Sequence, residues 1–435
     1  MNNSETFRKW LLYLLMAVTS IPFFFIIERP AAFGITGQAW YETSRYLASV
    51  CGYIGISLLV WELILGTRSI SGLYFKNLPE KLRLHSQIGK YGILLIFLHP
   101  LFILAQYSEK LPYIFTPILS SEFEEHVTFG RLALGGLLVI WVTSFIARSK
   151  IAYRPWKYIH YVAYPVLVAA LLHVPEVGHS YKDVAVQFFW WLFVLTTIVC
   201  FVLRARHLFG FGKVSYHIVG KKQLSPQVWM YTFKPNEKTL VPMLGQYIYL
   251  QRSLVSEEHP FSVLDFSKKT GEFSVAFKVF GKYTKKLLEL KEGDTVLVDG
   301  PYGVFTNEIA ASASRKSVFI AGGIGITPFV RNILSRPKES SMLFYANQSR
   351  HTAIFADVLK HHLDTNFVDA YSKDATTHHK PKFITYDVLK AHLKGDIHAL
   401  KFYICGPKGM MKSVRESLLQ LGAKDNNIHI EDFEF

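Results

Sequence analysis

Apolar positions along this chain fall into two textures. Up to about residue 210 they form runs of membrane length, at about 10–27, 45–65, 88–106, 130–147, 156–174 and 184–204. A hydrocarbon core of ~30 Å is crossed by ~20 helical residues, so each run is long enough to span it. The first run, RKWLLYLLMAVTS, continues through IPFFFII without a clean small-residue cleavage site, which reads as a retained helix and not a signal peptide. Beyond 210 the runs shorten to KVSYHIVG, VWMYTFKP, GQYIYLQR and GEFSVAFKV, β-branched and aromatic with turn residues between them. That is the pattern of an antiparallel barrel or sandwich. From about 315 the rhythm becomes apolar strand, glycine turn, helix, as in KSVFIAGGIGITPFVRNIL and KFYICGPKGMMKSVRESLLQLG, which predicts a doubly wound α/β domain. The expected chain is multi-domain: a six-helix transmembrane bundle over 1–210, an antiparallel β domain over 211–313 and an α/β domain over 314–435.

Charge gives the bundle an orientation. The 435 residues carry a formal charge of +15 while 50% of them are hydrophobic. A basic excess suits nucleic acid, or else cytoplasmic membrane loops joined to a domain that handles phosphates; the apolar half favours the second reading and no nucleic-acid partner is expected. Arg8 and Lys9 precede the first run, Arg68, Lys76, Lys81 and Arg83 separate the second from the third, Arg148, Lys150, Arg154 and Lys157 separate the fourth from the fifth, and Arg204 and Arg206 follow the sixth. The other loops are poorer in cations, and one holds the acidic SEFEEH (121–126). The positive-inside rule then puts the N-terminus and everything after the sixth span in the cytoplasm of a multi-pass cell-membrane protein. Cys51, Cys200 and Cys405 imply no disulfide framework, and no CxxC or Cys/His cluster occurs.

The chemistry of the bundle lies in its histidines. HSQIGKYGILLIFLH sets His85 and His99 fourteen residues apart, and HYVAYPVLVAALLH sets His160 and His173 thirteen apart. At 1.5 Å per residue the partners stand ~21 Å and ~20 Å apart along their helices, inside the bilayer core. Each pair starts near a cytoplasmic helix end, so His85 matches His160 near the inner face and His99 matches His173 near the outer. A lone histidine at a membrane helix end is most often an interfacial residue; two pairs matched in depth point to metal, since facing imidazoles hold a heme iron from both sides. At ~100° per residue, fourteen steps end ~40° from their start but thirteen end ~140° away, so the second helix must be distorted, and Pro165 predicts the kink. His126 and His179 lie in outer loops without matched partners and read as solvated.

Membrane helices with these two histidine pairs, followed by a β domain and a nicotinamide-type α/β domain, resemble the ferric reductase and NADPH oxidase superfamily over nearly the whole chain. The resemblance implies that His85, His99, His160 and His173 ligate two b-type hemes. It also implies that the β domain is a barrel that binds FAD and that the α/β domain is of ferredoxin-reductase type. No D-x-[DN]-x-[DN]-G loop is present, so calcium control is not expected, and no obligate partner is implied.

Motifs in the soluble half fit that family. HPFSV (259–263) resembles its flavin motif: His259 would reach the FAD pyrophosphate, Phe261, after Pro260, would lie against the isoalloxazine and Ser262 near its polar edge. By itself Pro-Phe in a strand is ordinary packing. KVFGKYTKKLLEL (278–290) resembles the second flavin segment, with Gly281 and Thr284 at a helix start that favours phosphate and with Lys278 and Tyr283 as further contacts; the plain alternative is Thr284 as an N-cap. GPYG (300–303) is a turn that the resemblance places at the cofactor cleft. AGGIGITPF (321–329) follows a strand, and Gly322, Gly323 and Gly325 would let the backbone approach a pyrophosphate at the helix opened by Thr327 and Pro328. It departs from GxGxxG and matches the ferredoxin-reductase type of site. Ser349 and Arg350 would hold a 2′-phosphate, which favours NADPH and leaves NADH open; a solvated loop is the alternative. YICGPKGMM resembles the family's strand-end motif and puts Cys405, Gly406 and Pro407 near the nicotinamide, with no partner set that would make Cys405 a nucleophile. Phe435, in the terminal EDFEF, is a candidate shield for the flavin ring, or a loose tail.

The expected route runs from cytosolic NADPH through FAD, the inner heme and the outer heme to a small acceptor outside, O2 or a ferric chelate, with O2 preferred. Glu122, Glu124 and Glu125 would attract a cation or be plain solvated loop; Arg131 would pair with a heme propionate or attract an anion. Two rivals remain: a heme-binding membrane sensor with a degenerate reductase domain, and a flavoreductase anchored to an inert bundle.

Overall fold

The structure is a computed structural model that describes residues 3–68, 70, 78–107, 111–254, 256–303, 309, 316–373 and 383–431. The chain forms two units, Met1–Ala205 and Arg206–Phe435.

In the first unit, helix α1 (Asn3–Ser20) and the short α2 (Phe23–Ile26) make up the first apolar stretch. Pro22 has no amide hydrogen to return to the preceding turn, so the helix stops and restarts there. The first of the six expected spans is therefore a broken helix, shorter than the rest. Five helices among the described residues are long and apolar enough to cross a membrane: α3 (Gly37–Gly66), α4 (Lys81–Tyr107), α5 (Glu122–Ile146), α6 (Tyr153–Val177) and α7 (Val184–Leu208). Helix α3 is central. Its Tyr46, Val50, Tyr53, Ile54 and Val60 pack with Leu167 and Leu171 of α6 and Phe193 of α7. Leu98, Leu101, Leu132, Val139, Leu195 and Ile198 stay exposed on the outer helices, as side chains solvated by lipid do. Helix starts are capped at the ends of the spans: Ser121 accepts the Glu124 amide at 3.3 Å and Asp183 the Ala185 amide at 2.7 Å.

In the second unit, β1 (Val214–Ser225), β2 (Val228–Pro235), β3 (Tyr247–Gln251), β4 (Glu258–Phe266), β5 (Phe273–Lys278) and β6 (Thr295–Tyr302) close into a barrel in the order β1-β2-β5-β4-β3-β6. All pairings are antiparallel. Alternate residues point inward, so Tyr216, Ile218, Tyr231, Phe233, Phe273, Val275 and Phe277 fill the interior, together with Tyr283 and Leu287 of α8 (Lys282–Leu288). The rest is a parallel sheet with helices: β7 (Ser317–Gly322), α9 (Val330–Leu334), β8 (Ser341–Asn347), α10 (Ala356–Leu363), β9 (Phe367–Tyr371), α11 (Tyr386–His392), β10 (Lys401–Cys405), α12 (Lys408–Gln420) and β11 (Ile428–Glu431). The order is β11-β10-β7-β8-β9. The chain winds outward from β7 and then returns to its other side at β10, so the strand order reverses between β7 and β10. Sheets of this kind bind ligands beyond the carboxyl ends of the strands at that reversal.

Candidate functional site

The bundle brings the four predicted histidines together in the expected pairs. The rings of His85 and His160 lie 6.0 Å apart between centroids and those of His99 and His173 6.3 Å apart, with their planes crossed at 74° and 83°. Two metal–imidazole bonds of ~2 Å, plus roughly 1 Å from each bonded nitrogen to its ring centre, add to about 6 Å. Both pairs thus stand at the separation of two imidazoles that share one metal.

The second ring nitrogen of His99 and that of His173 are engaged. His99 Nδ1 lies 2.8 Å from the Ala48 carbonyl and His173 Nδ1 2.8 Å from the His126 carbonyl. A carbonyl only accepts, so Nδ1 carries the hydrogen and Nε2 keeps its lone pair for a metal. His85 Nδ1 faces the Glu62 carboxylate at 2.7 Å, and His160 Nδ1 stands 3.4 Å from Ser144 Oγ. Glycines make this approach feasible. A Cβ on Gly52 of α3 would sit 2.9 Å from His99 Nδ1, and one on Gly130 of α5 2.7 Å from His173 Nδ1. Next to Gly130, Arg131 donates Nη1 to Glu124 and Nε to the Tyr113 carbonyl, while its buried Nη2 has no partner. A ligand with an anionic arm, such as a heme propionate, fits that orphaned donor, so the residues present fit a heme at this end of the bundle.

Both histidine helices are distorted. Helix α6 breaks at residues 161–162: Pro165 has no amide for the Tyr161 carbonyl, and the Tyr164 amide bonds it instead at 3.1 Å. This is the kink expected from Pro165, one turn earlier than the proline itself. Helix α4, for which fourteen α-helical steps give the ~40° offset, has a π turn at Ile88–Gly92. A π turn takes up one extra residue, so fourteen steps in α4 turn through about the angle of thirteen, and the near-alignment of His85 and His99 on one face does not hold. Within that turn the Lys90 carbonyl accepts the Trp141 indole N–H at 3.2 Å.

In the second unit, His259 stacks on Tyr283 at 3.9 Å between ring centroids, and Tyr283 in turn faces Phe261 at 6.2 Å. Tyr283 donates its hydroxyl to the Leu250 carbonyl at 2.5 Å, and burial raises its phenol above the ordinary range. Phe261 belongs to the barrel core, and Ser262 is buried beside it; Pro260 opposes Tyr249 of β3 in the ladder. Gly281 is the N-cap of α8. Thr284 sits three residues on and accepts the amides of Phe280 and Gly281 at 3.0 and 3.1 Å, so its hydroxyl closes the turn from inside the helix.

The nicotinamide motif divides in two. Gly322 and Gly325 face protein: a Cβ on Gly325 would lie 2.4 Å from the Cys405 carbonyl, and one on Gly322 2.8 Å from Pro407. These glycines, with Gly406, let the ends of β7 and β10 touch. Gly323, at φ +54°, faces open space. It opens onto a cleft shared with Gln227, Lys278, Ile324, Gln348 and Thr352, which joins one flavin-motif residue to the nicotinamide motif. Thr327 is buried and bonds the Ile324 carbonyl at 3.0 Å; Pro328 follows it, and α9 begins only at Val330. Ser349 caps a short turn through Thr352, and Arg350 is exposed, 3.4 Å from Asp357. Phe435 lies outside the described residues. A cluster of His207, Glu258 and Asp299 has ligand-like spacing, but Lys213 already supplies its cation, bonded to Glu258 and Gln251.

One buried carboxyl escaped the sequence reading. Glu431 ends β11 beside Cys405, and a Cβ on Gly303 would lie 3.5 Å from its Oε1, while Oε2 has no partner. Burial pushes it up to about 8 from 4.5. Between those values the folded chain holds a proton that the unfolded chain has released, so the stability cost is absent below about 4.5 and complete above about 8. Glu431→Gln is expected to leave the melting of the soluble half unchanged near pH 4.5 and to stabilise it at pH 8 by on the order of 4 kcal/mol. Equal gains at both pH values, measured by calorimetry, would contradict this.

Known families match each region. Residues 51–171 match the ferric reductase like transmembrane component, 215–307 the oxidoreductase FAD-binding domain and 319–416 the oxidoreductase NAD-binding domain. NADH-cytochrome b5 reductase 1 of Lodderomyces elongisporus is 24% identical over 225 residues, which is 48% of this chain and 74% of that protein. Ferric reduction oxidase 2 of Arabidopsis thaliana is 28% identical over 209 residues, 46% of this chain and 27% of that protein. Among solved structures, the cytochrome b5 reductase domain of Ulva prolifera nitrate reductase is 21% identical with a TM-score of 0.42, over 51% of this chain and 97% of that one.

Proposed function

Because the chain belongs to the ferric reductase and NADPH oxidase-like superfamily and is a transmembrane NAD(P)H-dependent flavin oxidoreductase, we propose that it passes electrons from cytosolic NADPH through FAD and two b-type hemes to O2 on the far side of the membrane. The balance is NADPH + 2 O2 → NADP+ + H+ + 2 superoxide. The observation that carries the di-heme reading is the pair of centroid separations, 6.0 and 6.3 Å, in a bundle whose chain continues into flavin and nicotinamide domains. When bound, a flavin converts a two-electron hydride into single electrons, and a heme takes them one at a time.

The chain's own residues would do the rest. His85 with His160, and His99 with His173, hold the two groups at separate depths, and Ala48 and His126 fix the outer tautomers through their carbonyls. Arg131 offers its unpaired Nη2 to a propionate. Tyr283 and His259 form a flat, partly open stack for FAD, and Gly323, Lys278 and Gln348 line the entry for the dinucleotide. The cationic loops support a cytoplasmic placement of the soluble half.

The test is a reduced-minus-oxidised spectrum of the purified full chain with NADPH as reductant, followed by superoxide detection in air. A yellow protein without a Soret band overturns the heme reading. Steady NADPH oxidation without superoxide, but with ferric-chelate reduction, moves the acceptor to iron.

Arg350 would select the cofactor. A charge-assisted bond to a 2′-phosphate contributes about 1.5–3 kcal/mol, so Arg350→Ala is expected to raise KM for NADPH by roughly tenfold or more and leave that for NADH unchanged. Parallel changes in both constants would place the 2′-phosphate elsewhere.

A further inference from the structure

Three of the four paired histidines have a neutral group at Nδ1, and His85 does not. His99 and His173 meet backbone carbonyls, and His160 stands beside the Ser144 hydroxyl. His85 alone meets a carboxylate: Glu62 Oε2 lies 2.7 Å from its Nδ1 as an ion-pair contact and not as an aligned hydrogen bond, and both side chains are largely buried. Glu62 belongs to the last turn of α3, near the inner histidine pair, and Oε1 has no partner. The carboxylate lies against the π turn of α4, where a Cβ on Gly89 would be 3.5 Å from Oε2. An ionisable side chain inside a membrane helix is costly and marks function.

We propose that Glu62 lowers the reduction potential of the inner heme relative to the outer one and so sets the direction of electron flow. The inference rests on the di-heme reading above. A carboxyl group 2.7 Å from the Nδ1 of a metal-bound imidazole would make Nε2 a stronger donor and place the carboxyl dipole beside the ring, both of which favour the ferric ion. His99 and His173 have only backbone carbonyls at Nδ1. With both groups bound, transfer from the site held by His85 and His160 to the site held by His99 and His173 would then be downhill: one electron would leave the first and enter the second, with no bond formed or broken and no proton transferred. Glu62 acts through His85 and is a positioning residue, not a catalytic one.

The test is a spectroelectrochemical titration of the purified, heme-loaded full chain, with Glu62→Gln and Glu62→Asp as variants. The wild type should show two one-electron components of unequal potential. Glu62→Gln should raise the lower component by at least tenfold in its reduction equilibrium, which is 59 mV for one electron, and leave the upper one in place. Glu62→Asp, which keeps the charge on a shorter arm, should move it less. The low-spin ferric EPR signal of the same component should shift in Glu62→Gln while the other signal stays. A single-heme background made with His99→Leu assigns the component to the inner site. Two hemes whose potentials are the same in wild type and both variants, or a shift confined to the upper component, overturn the inference and leave the di-heme reading standing. A wild type without heme overturns both.

Discussion

Full-length protein with His99→Leu is expected to take up about half the heme of wild type, to reduce its flavin with NADPH at an unchanged rate, and to lose transfer to the external acceptor by at least ~100-fold. His99 is one member of the outer pair, and its ring stands 6.3 Å from that of His173. Leucine fills the space without a ligand atom, so the outer site holds its heme weakly or not at all, while His85 and His160 are untouched. The soluble unit, which carries the flavin and nicotinamide domains, contains none of these residues. Heme content by pyridine hemochrome, stopped-flow flavin reduction and acceptor reduction separate the three quantities. Unchanged heme content and unchanged acceptor reduction would mean that the bundle is inert and that the chain is an anchored flavoreductase. Gly52 and Gly130 offer a gentler version of the same break, since a methyl on either would press on the Nδ1 of an outer ligand.

Gly325→Ala is expected to cost the soluble half about 3 kcal/mol and to abolish most NADPH oxidation. The methyl would stand 2.4 Å from the Cys405 carbonyl and 2.9 Å from the Gly406 amide nitrogen, and both are backbone atoms. No rotamer relieves that contact; the ends of β7 and β10 must part. For a unit of this size, about 3 kcal/mol lowers the midpoint of thermal unfolding by roughly 6–12 °C. Gly323→Ala is the control, because its Cβ would meet nothing within 4 Å and the cost is only that of a positive φ, about 1 kcal/mol. Equal losses in the two variants would show that the turn, and not the strand-end contact, limits the domain.

These two positions also mark how far the sequence could be read. The spans were legible because an unbroken apolar run of that length is rarely found outside a membrane, and the histidine pairs were legible because matched spacing repeats on two helices. The kink in α6 followed from one proline. The groups behind the histidine rings were not legible. Glu62 and the Ala48 carbonyl reach their histidines from α3, and nothing local in the sequence ties them to His85 and His99. Gly325 read as room for a phosphate, whereas it faces the carbonyl of Cys405, eighty residues along the chain. The plain alternative for Thr284 was an N-cap, and Gly281 holds that position because the chain enters the helix in an extended conformation there. Glu431 was passed over because a single acidic residue in a charged tail looks solvated; its burial comes from the parallel pairing of β11 with β10, which one strand's pattern does not announce.

The five residues Ile88–Gly92 carry one more consequence. If one of them is surplus to the α-helical path, the fourteen-residue separation of His85 and His99 covers about thirteen rises or ~20 Å, the length an unbroken helix would reach in thirteen residues. Counting letters between histidines then measures an insertion as well as a length. A scan of genomes keyed to a fixed count would pass over chains that lack the insertion, although their metal sites would lie at the same depths.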